Sequence, residues 1–234
     1  MTSILAIETS TAACSVALSV GESRFSRYSE EPRSHTRLIM AMVDAVLVEA
    51  GITVAMLNAI AVTVGPGSFT GLRIGFATAQ GLAFGAQLPV IAVSTLQVMA
   101  QTYRRKYKDN DQHSGVLMPL LDARMGEFNC GAYQLNSDGQ YETVIADQLL
   151  DAEAAEQLIG RLSPQVIVGD ALDLVNSTAL QQYSYQSLYP DALDLLEIAL
   201  LKQARNEAVD IGSVELVYLR GTDAWKKHTK LRAV

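Results

Sequence analysis

The chain has 234 residues, 49% of them hydrophobic and 18% charged, which suits one sizeable domain or two compact lobes. Its formal net charge of −7 repels nucleic acid overall, and no apolar run reaches the ~20 residues of a membrane span. Residues Met1–Glu8 carry no basic leader, the two cysteines sit far apart, and the three histidines lack metal-ligand spacing. The expectation is therefore a cytoplasmic protein with no disulfide framework and no metal site of its own.

In chain order, Ile4–Ile7 is a continuous apolar run closed by the polar turn Glu8-Thr9-Ser10-Thr11. Cys14–Val20 and Arg24–Ser29 alternate with period two around Gly21-Glu22, so the chain opens as an antiparallel meander. From His35 to Ala50 the period becomes helical, with Ser34 as cap and Gly51 as stop. Ala59–Val64 reads as a buried strand, Thr70–Gly85 as a helix, Pro89–Val93 as a strand, and Thr95–Tyr107 as a helix ending in Arg104-Arg105-Lys106. The polar run Lys108–Ser114 marks a boundary between a first lobe of residues 1–108 and a smaller second lobe of 109–234. The second half starts again with strands at Val116–Leu121, Glu127–Leu135 and Tyr141–Ile145. A helix capped by Asp151 runs to Leu162, then come a strand at Val166–Val168 and a helix at Ala192–Ala204. Two halves that each pass from strands to alternating helices and strands predict an α/β chain with two mixed sheets.

Three segments carry chemical interest. Gly65-Pro66-Gly67-Ser68-Phe69-Thr70-Gly71-Leu72-Arg73 lies between a strand and a helix, where free N–H groups can cradle an anion. It is no Walker A loop, since Leu72-Arg73 stands where Lys-Ser or Lys-Thr would be, and no dinucleotide fingerprint. A phosphate cradle and a bare tight turn fit the spacing equally well. A nucleotide there would draw on Glu8, Ser10, Gly65, Gly67 and Ser68, although the first turn has no glycine to let phosphate approach. The His35–Ala50 helix is apolar almost all round, with Leu38, Met42 and Val46 on it, which predicts burial on every side, by a partner surface or by a sandwiched place inside its own lobe. Gly71, Gly75, Ala79 and Ala83 fall every fourth residue on the next helix, a flat stripe suited to close approach by another helix, internal or from another chain. The basic run Lys226-Lys227-His228-Thr229-Lys230-Leu231-Arg232 could reach phosphates only as part of a larger assembly.

The opening Ile4-Leu5-Ala6-Ile7-Glu8-Thr9-Ser10, the loop from Gly65 to Gly75, Asp122-Ala123-Arg124-Met125-Gly126-Glu127 and the late Tyr218-Leu219-Arg220 together resemble the TsaB (formerly YeaZ) family, essentially end to end. The resemblance implies an actin-like, ASKHA-type fold of two duplicated lobes. It also implies a non-catalytic subunit working with the catalytic paralogue TsaD and the ATPase TsaE. Together these transfer a threonylcarbamoyl group from threonylcarbamoyl-AMP to the adenosine beside the tRNA anticodon. ATP and metal would belong to the partner subunits, with tRNA met only within the complex. Alone, the chain would form a homodimer through the helices His35–Ala50 and Thr70–Gly85. The paralogue's metal-binding His-x-x-x-His pair falls on Thr95 and Met99 here, poor ligands for a hard or borderline metal.

Two rival activities follow from the same residues. An independent actin-like ATPase or kinase would use the Gly65–Gly71 loop with Glu8 or Asp122 as its carboxylate. A peptidase has no metal pair, Ser–His–Asp spacing or Cys–His neighbourhood behind it. Asp122-Ala123-Arg124 is expected to form an ion pair across the cleft between the lobes, the alternative being contact with a partner.

Overall fold

The computed structural model describes residues 2–107, 115–136, 141–175 and 180–220. The boundary run Lys108–Ser114 and the basic tail lie outside the described residues.

The first sheet has the order β3-β2-β1-β4-β5, built from β1 (Ser3–Glu8), β2 (Cys14–Val20), β3 (Ser23–Ser29), β4 (Ala59–Gly65) and β5 (Val90–Ser94). β1, β2 and β3 form the antiparallel meander, while β4 and β5 join in parallel. Parallel neighbours need crossover helices, which α1 (His35–Ala50) and α2 (Phe69–Ala86) supply. Both helices bury Ile39, Val43, Val46, Ala79 and Ala83 in one core with Leu5, Ile7, Val16 and Val62. They therefore share one face of the sheet.

The second sheet, order β10-β9-β6-β7-β8, repeats that plan with β6 (Val116–Arg124), β7 (Glu127–Leu135), β8 (Tyr141–Asp151), β9 (Val166–Gly169) and β10 (Ser184–Ser187). Between β8 and β9 runs α4 (Ala152–Leu162), followed by the single turn α5 (Leu172–Val175). Two lobes of the same strand order, each three antiparallel strands extended by parallel ones, give the actin-like arrangement. α3 (Thr95–Lys106) lies between them: Val98 joins the first lobe's core, whereas Leu96, Met99 and Ala100 pack on Leu117, Leu121 and Tyr133 of the second.

The division at residue 108 needs correction. α6 (Ala192–Ala204) comes from the second half but packs on the first sheet, where Leu195, Leu196 and Ala199 meet Ile4, Ala6 and Ile91. The chain then stays on the first lobe, since Val209 pairs with Val90 and Ile211 enters its core. The physical reason is the outer face of the first sheet, whose apolar side chains α6 shields from water. The Ala192 N–H is held by the Ser15 hydroxyl at 2.9 Å, and Arg105 of α3 grips Asp191 and Asp194 at 2.6 and 2.8 Å. That arginine of the basic run is thus committed inside the chain.

Candidate functional site

A cleft of about 1240 Å³ opens between the lobes. Its walls come from the β1–β2 turn, the start of α2, the β6–β7 hairpin and residues Val217–Arg220.

The β1–β2 turn is tied to itself. Glu8 is fully buried, and its Oε1 accepts hydrogen bonds from the Ser10 amide and hydroxyl, both at 2.6 Å. Burial pushes this carboxyl up to about 7, because water can no longer solvate its charge; the Ser10 and Thr63 hydroxyls beside it offset that only in part. Its other oxygen has no hydrogen-bond partner at normal distance. Glu8 and Ser10, named above as phosphate-site candidates, therefore serve each other, and the carboxylates that line the cleft are Asp122 and Asp170. His35 fastens the turn to α1: its Nε2 lies 3.0 and 3.1 Å from the Thr11 and Ala13 carbonyl oxygens, so that nitrogen carries a hydrogen.

The glycine loop is pinned to the same turn. The Ser68 amide donates to the Ser10 carbonyl at 2.7 Å, and the Ser68 hydroxyl accepts from the Gly71 amide at 3.2 Å as the cap of α2. A Cβ added at Gly67 would lie 2.3 Å from the Ser10 oxygen, so this glycine lets two loops of the chain touch. Gly65 has φ +117°, and a Cβ there would meet the Val217 carbonyl oxygen at 2.5 Å. Of the two readings of this loop, the tight turn describes the geometry. The residues fit a nucleotide phosphate poorly, since the Ser68 N–H and the Ser10 amide and hydroxyl are spent within the chain.

The interface residues need a second correction. Gly71, Gly75, Ala79 and Ala83 face inward: added Cβ atoms at Gly71 and Gly75 would stand 2.1 and 2.2 Å from the Thr9 carbonyl and hydroxyl oxygens, while Ala79 and Ala83 are core residues. The backbone that approaches the stripe is the chain's own first turn. Met42 and Val46 are likewise buried, and Leu38 is partly so. Nor is α1 buried on every side, for Met40 is 44% exposed and Val48 80%. On the outer side of α2, Phe84 is 80% exposed, and Met56 of the short 3-10 turn Val54–Met56 lies open nearby. Exposed apolar side chains do exist on these two helices, on the sides turned away from the residues that sequence spacing chose. Ser34 caps α1 by position only, its hydroxyl donating to the Glu31 carbonyl at 2.6 Å.

Thr95 and Met99 are both fully buried, Met99 among apolar neighbours of the second lobe. Among the described residues, no group of three or more His, Cys, Asp or Glu is arranged to hold a metal ion. Asp122 and Arg124 do pair, at 3.0 Å, but within the tip of one hairpin and not across the cleft; Arg124 is 85% exposed. The cleft is crossed elsewhere, by an ion pair between Arg220 and Glu127. Sequence reasoning marks Tyr218-Leu219-Arg220 only through the family resemblance and gives it no contact across the cleft. Its signal was the period-two pattern Val214-Glu215-Leu216, where Val214 and Leu216 reach the first core.

The family model for TsaD, tRNA N6-adenosine threonylcarbamoyltransferase, matches residues 29–208. The chain is 39% identical over 229 residues to the tRNA threonylcarbamoyladenosine biosynthesis protein TsaB of Escherichia coli (strain K12), covering 96% of this chain and 97% of that one. It is 34% identical over 238 residues to TsaB of Haemophilus influenzae, covering 96% of each. YeaZ from Pseudomonas aeruginosa, a solved structure, superposes with a TM-score of 0.78 at 34% identity, over 94% of this chain and 100% of that one.

Proposed function

Because the chain belongs to the TsaB family of tRNA threonylcarbamoyladenosine biosynthesis proteins, we propose that it is a non-catalytic subunit of the threonylcarbamoyl-transferring assembly. Its work is to hold the catalytic paralogue TsaD in an active state and to help TsaE join. The acceptor is the adenosine beside the tRNA anticodon, met only within the complex. ATP and metal are the partners' business. The observation that carries this reading is the exposed apolar face of α1 and α2, with Met40, Val48 and Phe84 on it. Large apolar side chains gathered on one layer of a soluble fold mark a surface that another protein covers. In isolation, a second copy of the chain covers it instead. A methionine in such a patch adapts to more than one partner.

The mutual bonding of the β1–β2 turn and the glycine loop supports the non-catalytic half of the proposal. An ATPase or kinase needs donors that are free until phosphate arrives, together with a carboxylate facing it. Ser68, Ser10 and Glu8 instead bond one another.

The test is an omission assay for tRNA threonylcarbamoylation with TsaD, TsaE and the donor synthase present. Modification is expected to vanish without this chain, while the chain alone neither modifies tRNA nor hydrolyses ATP. Undiminished modification in its absence, or ATP turnover by the purified chain, overturns the reading.

A further inference from the structure

The last described residues make contacts with both lobes. Upstream, the segment is rooted in the first lobe: Val209 pairs with Val90, Ile211 is buried, and Val214 and Leu216 pack on the core. The Val217 amide then donates to the Val64 carbonyl at 2.7 Å, and the Val217 carbonyl rests on Gly65. The Tyr218 ring lies 5.5 Å from that of Phe69, and its hydroxyl accepts from Arg73 Nε at 3.2 Å. The Arg73 guanidinium in turn sits 3.7 Å above the Phe69 ring. Two residues further on, Arg220 reaches the other lobe. It donates to the Arg124 carbonyl at 2.8 Å, touches Met125 Sδ at 3.3 Å and pairs with Glu127.

We propose that Val217–Arg220 is an interlobe clasp, which joins the start of α2 to the β6–β7 hairpin and sets how far the cleft opens. The two ends are unequal. The root combines a main-chain hydrogen bond, core packing and a glycine that only close approach requires. The far end is one partly exposed ion pair and one carbonyl bond, a contact weak enough to open and close. The hairpin it grips holds two non-glycine residues in the left-handed region, with φ of 69° at Arg124 and 60° at Met125. Such a tip persists only where surrounding contacts determine it, and Arg220 supplies one from the opposite lobe. Release of the Arg220 end therefore frees the hairpin and loosens the Tyr218 contacts with Phe69 and Arg73 at the root. A conformational link between the β6–β7 hairpin and the start of α2 follows, because Tyr218 touches one and Arg220, two residues on, touches the other.

Hydrogen–deuterium exchange on the full chain tests the clasp, comparing wild type with Arg220→Ala and Tyr218→Ala. Arg220 touches only the second lobe, yet its loss is expected to speed exchange in Thr70–Arg73 as well as Arg124–Glu127, by about fivefold. Tyr218→Ala, which touches only the first, is expected to deprotect the hairpin in return. Effects confined to the lobe each side chain touches would overturn the proposal. Should Arg220→Ala fail to fold, Glu127→Gln breaks the same crossing with the clasp sequence intact. Under Glu127→Gln, unchanged exchange in Thr70–Arg73 counts against the clasp in the same way.

Discussion

Gly71, Gly75 and Gly81 lie on the same helix, yet the chain treats them differently. The first two admit the β1–β2 turn, so a methyl group at either must displace backbone or the Thr9 side chain. Gly71→Ala and Gly75→Ala are each expected to cost about 2–3 kcal/mol, the scale of overpacking in a tight interior. Around Gly81 nothing lies within 4 Å of an added Cβ, and the residue is exposed in the helix interior. Gly81→Ala is expected to stabilise by about 0.5–1 kcal/mol, since alanine has less chain entropy to lose. Chemical denaturation of the three variants checks the contrast, and a loss at Gly81 would contradict it. Glu8 gives a prediction in pH. Its carboxyl ionises near 4.5 in the unfolded chain and at about 7 when folded, so between those values only the folded state keeps the proton. Stability from this group is full below pH 4.5 and falls as pH rises to 7, by on the order of 3 kcal/mol. Glu8→Gln should flatten that slope in urea titrations and leave the protein more stable than wild type at pH 8. A slope that survives the substitution would assign it to other groups.

Elements show where sequence pattern suffices and where it does not. α1 occupies the predicted span His35–Ala50, because Gly51 adopts φ 68° and its amide turns back to Leu47 and Val48. β10 (Ser-Tyr-Gln-Ser) was missed, for it has no apolar period and is a strand only through pairing with β9. The glycine loop was legible as a turn, but not its docking on Ser10, a contact 58 residues away in sequence that no local pattern encodes. Spacing likewise groups residues on one side of a helix without saying which side meets the sheet. Small residues on α2 made both assignments chemically reasonable, and Thr9 decides between them. The outer face therefore carries the partner test. Val48→Asp with Phe84→Glu is expected to leave the melting temperature within a few degrees and to abolish self-association in light scattering, together with capture of TsaD. Ala79→Glu, aimed at the core, is expected to unfold the chain. Assembly that survives the outer pair would place the partner surface elsewhere.

At the scale of the whole molecule, the lobes are interleaved more than the sequence boundary suggests. α6 closes the first core from the far half of the chain, and α3 gives one side to each lobe. Arg105 locks these two helices by a bidentate grip on Asp194, whose side chain is 1% exposed. Burial raises the Asp194 carboxyl, and the arginine beside it favours the charge. Arg105→Ala would strand that carboxylate and is expected to cost about 3 kcal/mol; Asp194→Asn in the same chain should recover part of the loss. Cutting the chain after residue 107 has a larger effect. The fragment retains all five strands of the first sheet but exposes Ile4, Ala6, Ala61 and Ile91 where Leu195, Leu196 and Ala199 belong. An apolar sheet face open to water cannot offset the entropy of ordering ~107 residues. The fragment is expected to show no cooperative thermal transition, whereas residues 1–220 melt in one step followed by circular dichroism. A sharp transition in the fragment would mean that α6 decorates a lobe able to fold alone. The absence of one means that the protein's two halves are a single cooperative unit, in which a pull on the second lobe is felt through α6 in the first.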